Sequence, residues 1–131
     1  MQKTITFFLI DDDEDDHEFF IIALEDADKD VVSVTAKNGR EALDMLNSGQ
    51  VNPDYIFLDL NMPQIGGLEC LTELKKSPGL SHIPVIIFST SSDPKDKEST
   101  LSLGAIDFIT KPSKLSELTA LLNAFMVNQH S

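Results

Sequence analysis

The sequence predicts a single doubly wound α/β domain, a parallel sheet with helices on both faces, and three observations predict it. Five short apolar runs alternate with five stretches of helical periodicity, at about 25 residues per unit and with short connections. The runs are continuously apolar rather than alternating, as strands covered on both faces are. Four of the five lead, within two residues, to Asp11 and Asp12, Asp59, Ser89 or Lys111: carboxylates, a hydroxyl and an ammonium. In an open parallel sheet all of these groups fall on the edge where ligands bind.

The first strand, residues 4–10, is rich in β-branched and aromatic side chains. Six consecutive acids, 11–16, follow it, and Asp13 or Glu14 can begin a helix because negative charge suits the positive end of the dipole. Phe19, Phe20, Ala23, Leu24 and Ala27 then share one helical face. Residues 31–36 form the second strand. Asn38-Gly39 makes a turn, and the helix over 40–47 points Ala42, Leu43 and Leu46 inward. The third strand is 55–58, broken at once by Asn61 and Pro63. The third helix, 67–76, is expected to bury Leu68, Leu71 and Leu74, with Cys70 at the rim, and Ser77-Pro78-Gly79 ends it. The fourth strand is 84–88, a polar helix spans 94–103, and the fifth strand is 106–109, just before Lys111-Pro112. The last helix, 114–127, buries Leu115, Leu118, Leu122 and Phe125.

Composition narrows the function. The net charge is −12 and Arg40 is the only arginine, so a basic face that neutralises nucleic-acid phosphates is not available. No apolar run approaches the roughly 18 residues of a membrane span, and Met1-Gln2-Lys3 leads straight into a strand without a cleavage site. One cysteine, Cys70, excludes a disulfide framework and agrees with a cytoplasmic location.

The strand ends place Asp11 and Asp12, Asp59, Ser89 and Lys111 on one edge. Two carboxylates at about 4 Å repel by roughly 4 kcal/mol at an effective dielectric near 20, so the cluster calls for a cation. A few hard oxygen ligands with room for water suit Mg2+ better than Zn2+ or Ca2+. A metal, a carboxylate nucleophile and a lysine together outline a phosphoryl-transfer site. One of the carboxylates is the nucleophile in that outline, Lys111 answers the phosphoryl charge, and Ser89 can donate a hydrogen bond to it.

The chain resembles a two-component response-regulator receiver domain, similar to the chemotaxis regulator. The matching segments are 10–13, 58–63, 67–69, 83–90, 103–105 and Lys111-Pro112. The likeness covers essentially the whole chain and is nearer to stand-alone regulators of the cyanobacterial phytochrome type, on Asp15-Asp16, the loop 77–83 and Ser89-Thr90-Ser91. The resemblance implies a flavodoxin-like (βα)5 fold, strand order 2-1-3-4-5, in one domain over 1–131 with no output domain. It implies that Asp59 accepts a phosphoryl group from the phosphohistidine of a sensor histidine kinase or phosphotransfer protein. Asp12, Asp59 and the backbone carbonyl of Asn61 would bind Mg2+ directly, with Asp11 on a metal-bound water. Ser89 and Phe108 would be the switch pair, Ser91 would modulate hydrolysis, and a cis bond before Pro112 would aim Lys111. Gly66, where many receivers have an acid or Asn, should loosen the loop after Asp59. Output would pass to a further protein, without turnover of a free substrate.

Blander roles are expected elsewhere. Asp13, Glu14, Asp15 and Asp16 read as a solvated helix start, and His17, His82 and His130 as surface residues. Ile21, opposite the buried face, and Ile22 at its margin are expected to form an exposed docking patch for the kinase. Ala120, Ala124 and Val127 lie off the core face of the last helix and are open to a homodimer. Three alternatives carry other functions: a Mg2+-dependent aspartyl-phosphate hydrolase, a flavodoxin-like nucleotide binder, and a phosphorylation-independent pseudo-receiver. Against the first, Asn61 occupies the place of a general acid; against the second, six acids stand where a phosphate loop would be. Against the third, every phosphorylation residue is present.

Overall fold

A computed structural model describes residues 5–27, 31–60, 62 and 66–130, with only the backbone of residues 27 and 125–130. Strands and helices alternate as β1 (Ile5–Ile10), α1 (Glu14–Ala27), β2 (Val31–Ala36), α2 (Gly39–Asn47), β3 (Tyr55–Leu58), α3 (Gly67–Lys76), β4 (Val85–Ser89), α4 (Pro94–Ser102), β5 (Asp107–Thr110) and α5 (Leu115–His130). All pairings are parallel and the order is β2-β1-β3-β4-β5, the flavodoxin-like arrangement. The chain reverses direction across the sheet after β2, so the crevice at the strand C-termini opens between β1 and β3.

The pleat divides the core into two layers. Phe8, Ile10, Ile56, Leu58, Val85 and Ile87 pack with α2 and α3. Phe7, Leu9, Phe57, Ile86 and Phe88 face the other way, onto α1 and α5. In that second layer Phe20 of α1 meets Phe57 edge-on at 5.1 Å and Phe88 at 5.8 Å between ring centroids. Each fully buried side chain of this size contributes about 1.5–3 kcal/mol, so these rings hold α1 over the ends of β1, β3 and β4.

Several expectations need correction. In α3 the buried stripe is Gly67, Cys70, Leu71 and Leu74, while Leu68 is 43% exposed. Cys70 therefore lies in the core rather than at the rim, and burial, with the Glu73 charge, pushes its thiol up to about 12. The helix is phased by Gly67, whose missing side chain admits the backbone of Asp59 and Leu60. β5 sits one residue later than expected and is only half-buried, because an edge strand is paired on one side. Ile106, expected within it, is 54% exposed. On α1 the docking expectation inverts: Ile22 is 46% exposed and Ile21 half-buried, since the inward face extends from Leu24 and Phe20 to His17. His17 itself is buried, not a surface residue, whereas His82 is exposed. The Lys111–Pro112 bond is trans; no cis peptide occurs among the described residues. The trans form is the lower-energy one for an isolated X-Pro bond by about 0.5–1 kcal/mol. Phe125, Val127 and His130 fall outside the described side chains; Ala120 and Ala124 are exposed.

Candidate metal and phosphoryl site

Two ladder hydrogen bonds carry the sheet one residue past its strands and seat the acids. Asp11 N–H donates to Ala36 O at 3.0 Å, and Asp59 N–H donates to Ile10 O at 2.9 Å. Asp11 and Asp59 thus stand side by side at the ends of neighbouring strands, both buried, with Asp12 exposed beyond them. One carboxylate oxygen from each of the three lies within 4.8 Å of the others. Hard oxygens at that spacing, one of them open to water, fit Mg2+. Asn61 lies outside the described residues, so its carbonyl is not placed.

Lys111 reaches the cluster from the end of β5, where its N–H donates to Ser89 O at 2.7 Å. Its Nζ donates to Asp11 Oδ2 at 2.7 Å and Asp16 Oδ2 at 2.6 Å, and lies 3.6 Å from Asp59 Oδ1. It also stands 5.7 Å from the centroid of the Phe88 ring, within cation–π range. These contacts aim the ammonium with the following proline bond in trans. Asp16 is the site residue that the sequence reading missed, having assigned it to a solvated helix start. The signal was its place one turn before Phe20, on the buried stripe of α1. Asp13 keeps the expected role: its carbonyl accepts the His17 N–H and its side chain the Asp15 N–H, opening the helix.

Burial alone would lower the Lys111 pKa, but hydrogen bonds to Asp11 and Asp16 and the charges of Asp11 and Asp59 outweigh it and raise the pKa. Lys111 is therefore charged throughout the neutral range. Asp11 is raised from 3.8, because burial outweighs the hydrogen bonds from Lys111 and the Asp13 N–H. A carboxylate raised on folding contributes stability that is complete below its unfolded pKa and is lost as pH rises through its folded value. At neutral pH the ionised Asp11 is thus a net cost. Asp11→Asn is expected to raise the melting temperature of the metal-free protein at pH 7 by roughly 2–6 °C. The gain should shrink toward pH 4, as thermal melts across that range will check.

At the end of β4, Ser89 is fully buried and its Oγ accepts the Ser91 N–H at 3.2 Å. Ser91 Oγ donates to Asp96 Oδ2 at 2.6 Å, and Thr110 Oγ1 donates to Ser91 O at 3.3 Å, joining this loop to α4 and β5. Phe108 is half-buried against the α2/α3 layer of the core. Both switch candidates thus lie on adjacent strands, Phe108 paired in register with Ile87 and Ser89 with Thr110.

The family profile described as "Response regulator receiver domain" matches residues 7–123. A protein-glutamate methylesterase/protein-glutamine glutaminase of Methanococcoides burtonii is 42% identical over 102 residues, 76% of this chain and 28% of that protein. The chain spans well under half the length of the curated relatives it matches. Among solved structures, the phosphorylated cyanobacterial phytochrome response regulator RcpA superposes with a TM-score of 0.85 at 32% identity, over 94% of this chain and 91% of that one. The Mn2+-bound form of the response regulator Rcp1 gives 0.82 at 26% identity, over 92% and 91%. With its strand order, its acidic cluster and a profile match over nearly its whole length, this chain belongs to the response regulator receiver domain family.

Proposed function

We propose that the chain is a phosphorylatable switch of a two-component phosphorelay, with Asp59 as the acceptor. The observation that carries this reading is the convergence of three carboxylates, Asp11, Asp12 and Asp59, with the Lys111 ammonium bonded to Asp11 and 3.6 Å from Asp59. An Asp59 carboxylate oxygen attacks the phosphorus of a phosphohistidine on a sensor histidine kinase or phosphotransfer protein. The P–N bond breaks, its electrons and a proton go to the imidazole, and an acyl phosphate forms on Asp59. Lys111, 3.6 Å from Asp59, holds the positive charge that the incoming oxygens require. Mg2+ held by Asp11, Asp12 and Asp59, with the Asn61 carbonyl, would supply the remaining charge neutralisation. RcpA shares this fold in a phosphorylated form and Rcp1 in a Mn2+-bound form, which supports the same chemistry here.

Ser89 and Phe108 form the output device in this reading. Ser89 Oγ leaves the Ser91 N–H for a phosphoryl oxygen, Phe108 turns into the released space, and the phosphoryl group binds that second state better. A downstream protein reads the change, and no free substrate is turned over. No described helix is long and apolar enough to cross a membrane. A cytoplasmic location belongs to the phosphorelay reading. The exposed Ala120 and Ala124 on α5 leave room for a homodimer.

Intact mass after incubation with acetyl phosphate and Mg2+ tests the reading. One phosphoryl adduct is expected, absent without Mg2+ and absent in Asp59→Asn. No adduct in the wild type would favour a phosphorylation-independent interaction module instead.

A further inference from the structure

His17 was expected at the surface and is instead buried, 8% exposed, with Nε2 2.6 Å from the backbone carbonyl oxygen of Asp11. A carbonyl only accepts, so Nε2 carries the hydrogen in this contact. That carbonyl lies beyond the β1–β2 register, which ends at Ile10 and Ala36, and the ladder bond made there by Asp11 uses its N–H. The Asp11 side chain is committed as well, Oδ1 to the Asp13 N–H and Oδ2 to Lys111. Within this set of contacts, His17 is the group that fixes the peptide plane joining Asp11 to Asp12. Because the peptide is planar, holding its oxygen sets the direction in which the chain enters Asp12.

We infer that His17 is a positioning residue of the metal site, acting through the Asp11–Asp12 peptide without touching metal or phosphoryl group. The inference rests on the Mg2+ reading given above. α1 would then contact the site through consecutive residues, Asp16 on the Lys111 ammonium and His17 on the backbone between two ligands. His17 is buried on the same helical stripe as Phe20 and Leu24, which belong to the aromatic layer of the core.

The test compares Mg2+ affinity, by calorimetry on the full chain with the metal alone, for wild type, His17→Leu and His17→Gln. Loss of a group that orients a ligand typically costs about 10–100-fold in metal affinity, and that loss is expected for H17L. H17Q places an amide donor at the position of Nε2 and should return the affinity to within about threefold. A merely structural role would lower the melting temperature of metal-free H17L and leave its Mg2+ affinity unchanged, and that outcome overturns the inference. Should H17L not fold, the wild type decides by NMR. The His17 Nε2–H signal should shift with Mg2+ at the same midpoint as the Asp12 and Asp13 amides; an unmoved signal while they titrate overturns the inference. A wild type that binds no Mg2+ by either method is a different failure, that of the metal site itself.

Discussion

Lys111→Met should lose most of both stability and phosphorylation. The Lys111 side chain is 10% exposed and stands among Asp11, Asp16 and Asp59, whose side chains are 0%, 31% and 8% exposed. Removing one partner of a buried ion pair costs about 3–5 kcal/mol, because the abandoned charge stays buried. The deficit is expected to depend on pH with a definite sign. Without Lys111, the Asp11 pKa, already raised by burial, rises further. The stability contributed by its neutral form is present at low pH and lost as pH rises through the folded value, so the gap to wild type should open from acid toward neutrality. Urea denaturation at pH 4.5 and pH 7.5 will show it. Phosphorylation from acetyl phosphate should fall about 10²–10³-fold, the usual effect of deleting a group aimed at developing charge. Lys111→Arg should recover much of the stability but less of the rate, because a planar fork does not reproduce three contacts converging on one nitrogen. Equal stability of wild type and K111M at pH 7.5 would show that the ammonium does not neutralise the cluster.

Gly67→Ala is expected to damage the site from outside it. A Cβ at Gly67 would stand 2.4 Å from the Asp59 carbonyl oxygen and 2.5 Å from Leu60 Cα. Both are backbone atoms, so the conflict is relieved only by moving α3 or the segment that carries Asp59. Overpacking of this kind costs about 1–3 kcal/mol. A displacement of Asp59 by about 1 Å would slow phosphorylation by roughly 10²-fold. Gly66→Ala is the internal control. There the nearest atoms, Leu60 O and Met62 O, are 3.8 and 3.9 Å away, ordinary contact distances. Denaturation midpoints and phosphorylation rates should therefore separate the two neighbours sharply. A G67A protein with wild-type values in both would mean that the close approach is slack.

The same contrast shows where local reading of the chain stops. Gly66 is the N-cap of α3 and, having no side chain, makes no side-chain cap hydrogen bond. Gly67 enters the sequence reading only as the start of the third helix and of the matching segment 67–69, and only the sheet's approach to α3 shows why a hydrogen atom is required there. That approach also phases the helix, which is why Leu68 turns outward and Cys70 inward. The β5 boundary has a similar cause: Ile106 is apolar, yet at the sheet edge its burial depended on cover that the fold does not supply there.

The sequence by itself determined the alternation of strands and helices, the continuous apolar character of β1, β3 and β4, and the chemical type of the group at each strand end. These are properties of neighbouring residues, and periodicity with turn chemistry carries them. It also determined that Asp11, Asp12, Asp59 and Lys111 share an edge, because parallel strands leave no other arrangement. The tertiary structure decided which acids beyond those take part. Four acids, Asp13 to Asp16, look alike in the sequence, and the phase imposed when Phe20 packs on Phe57 and Phe88 turns Asp16 onto Lys111 and His17 onto the Asp11 carbonyl. Helical phase is set by burial against the sheet, an interaction across the chain, so it becomes fixed only when the layers meet.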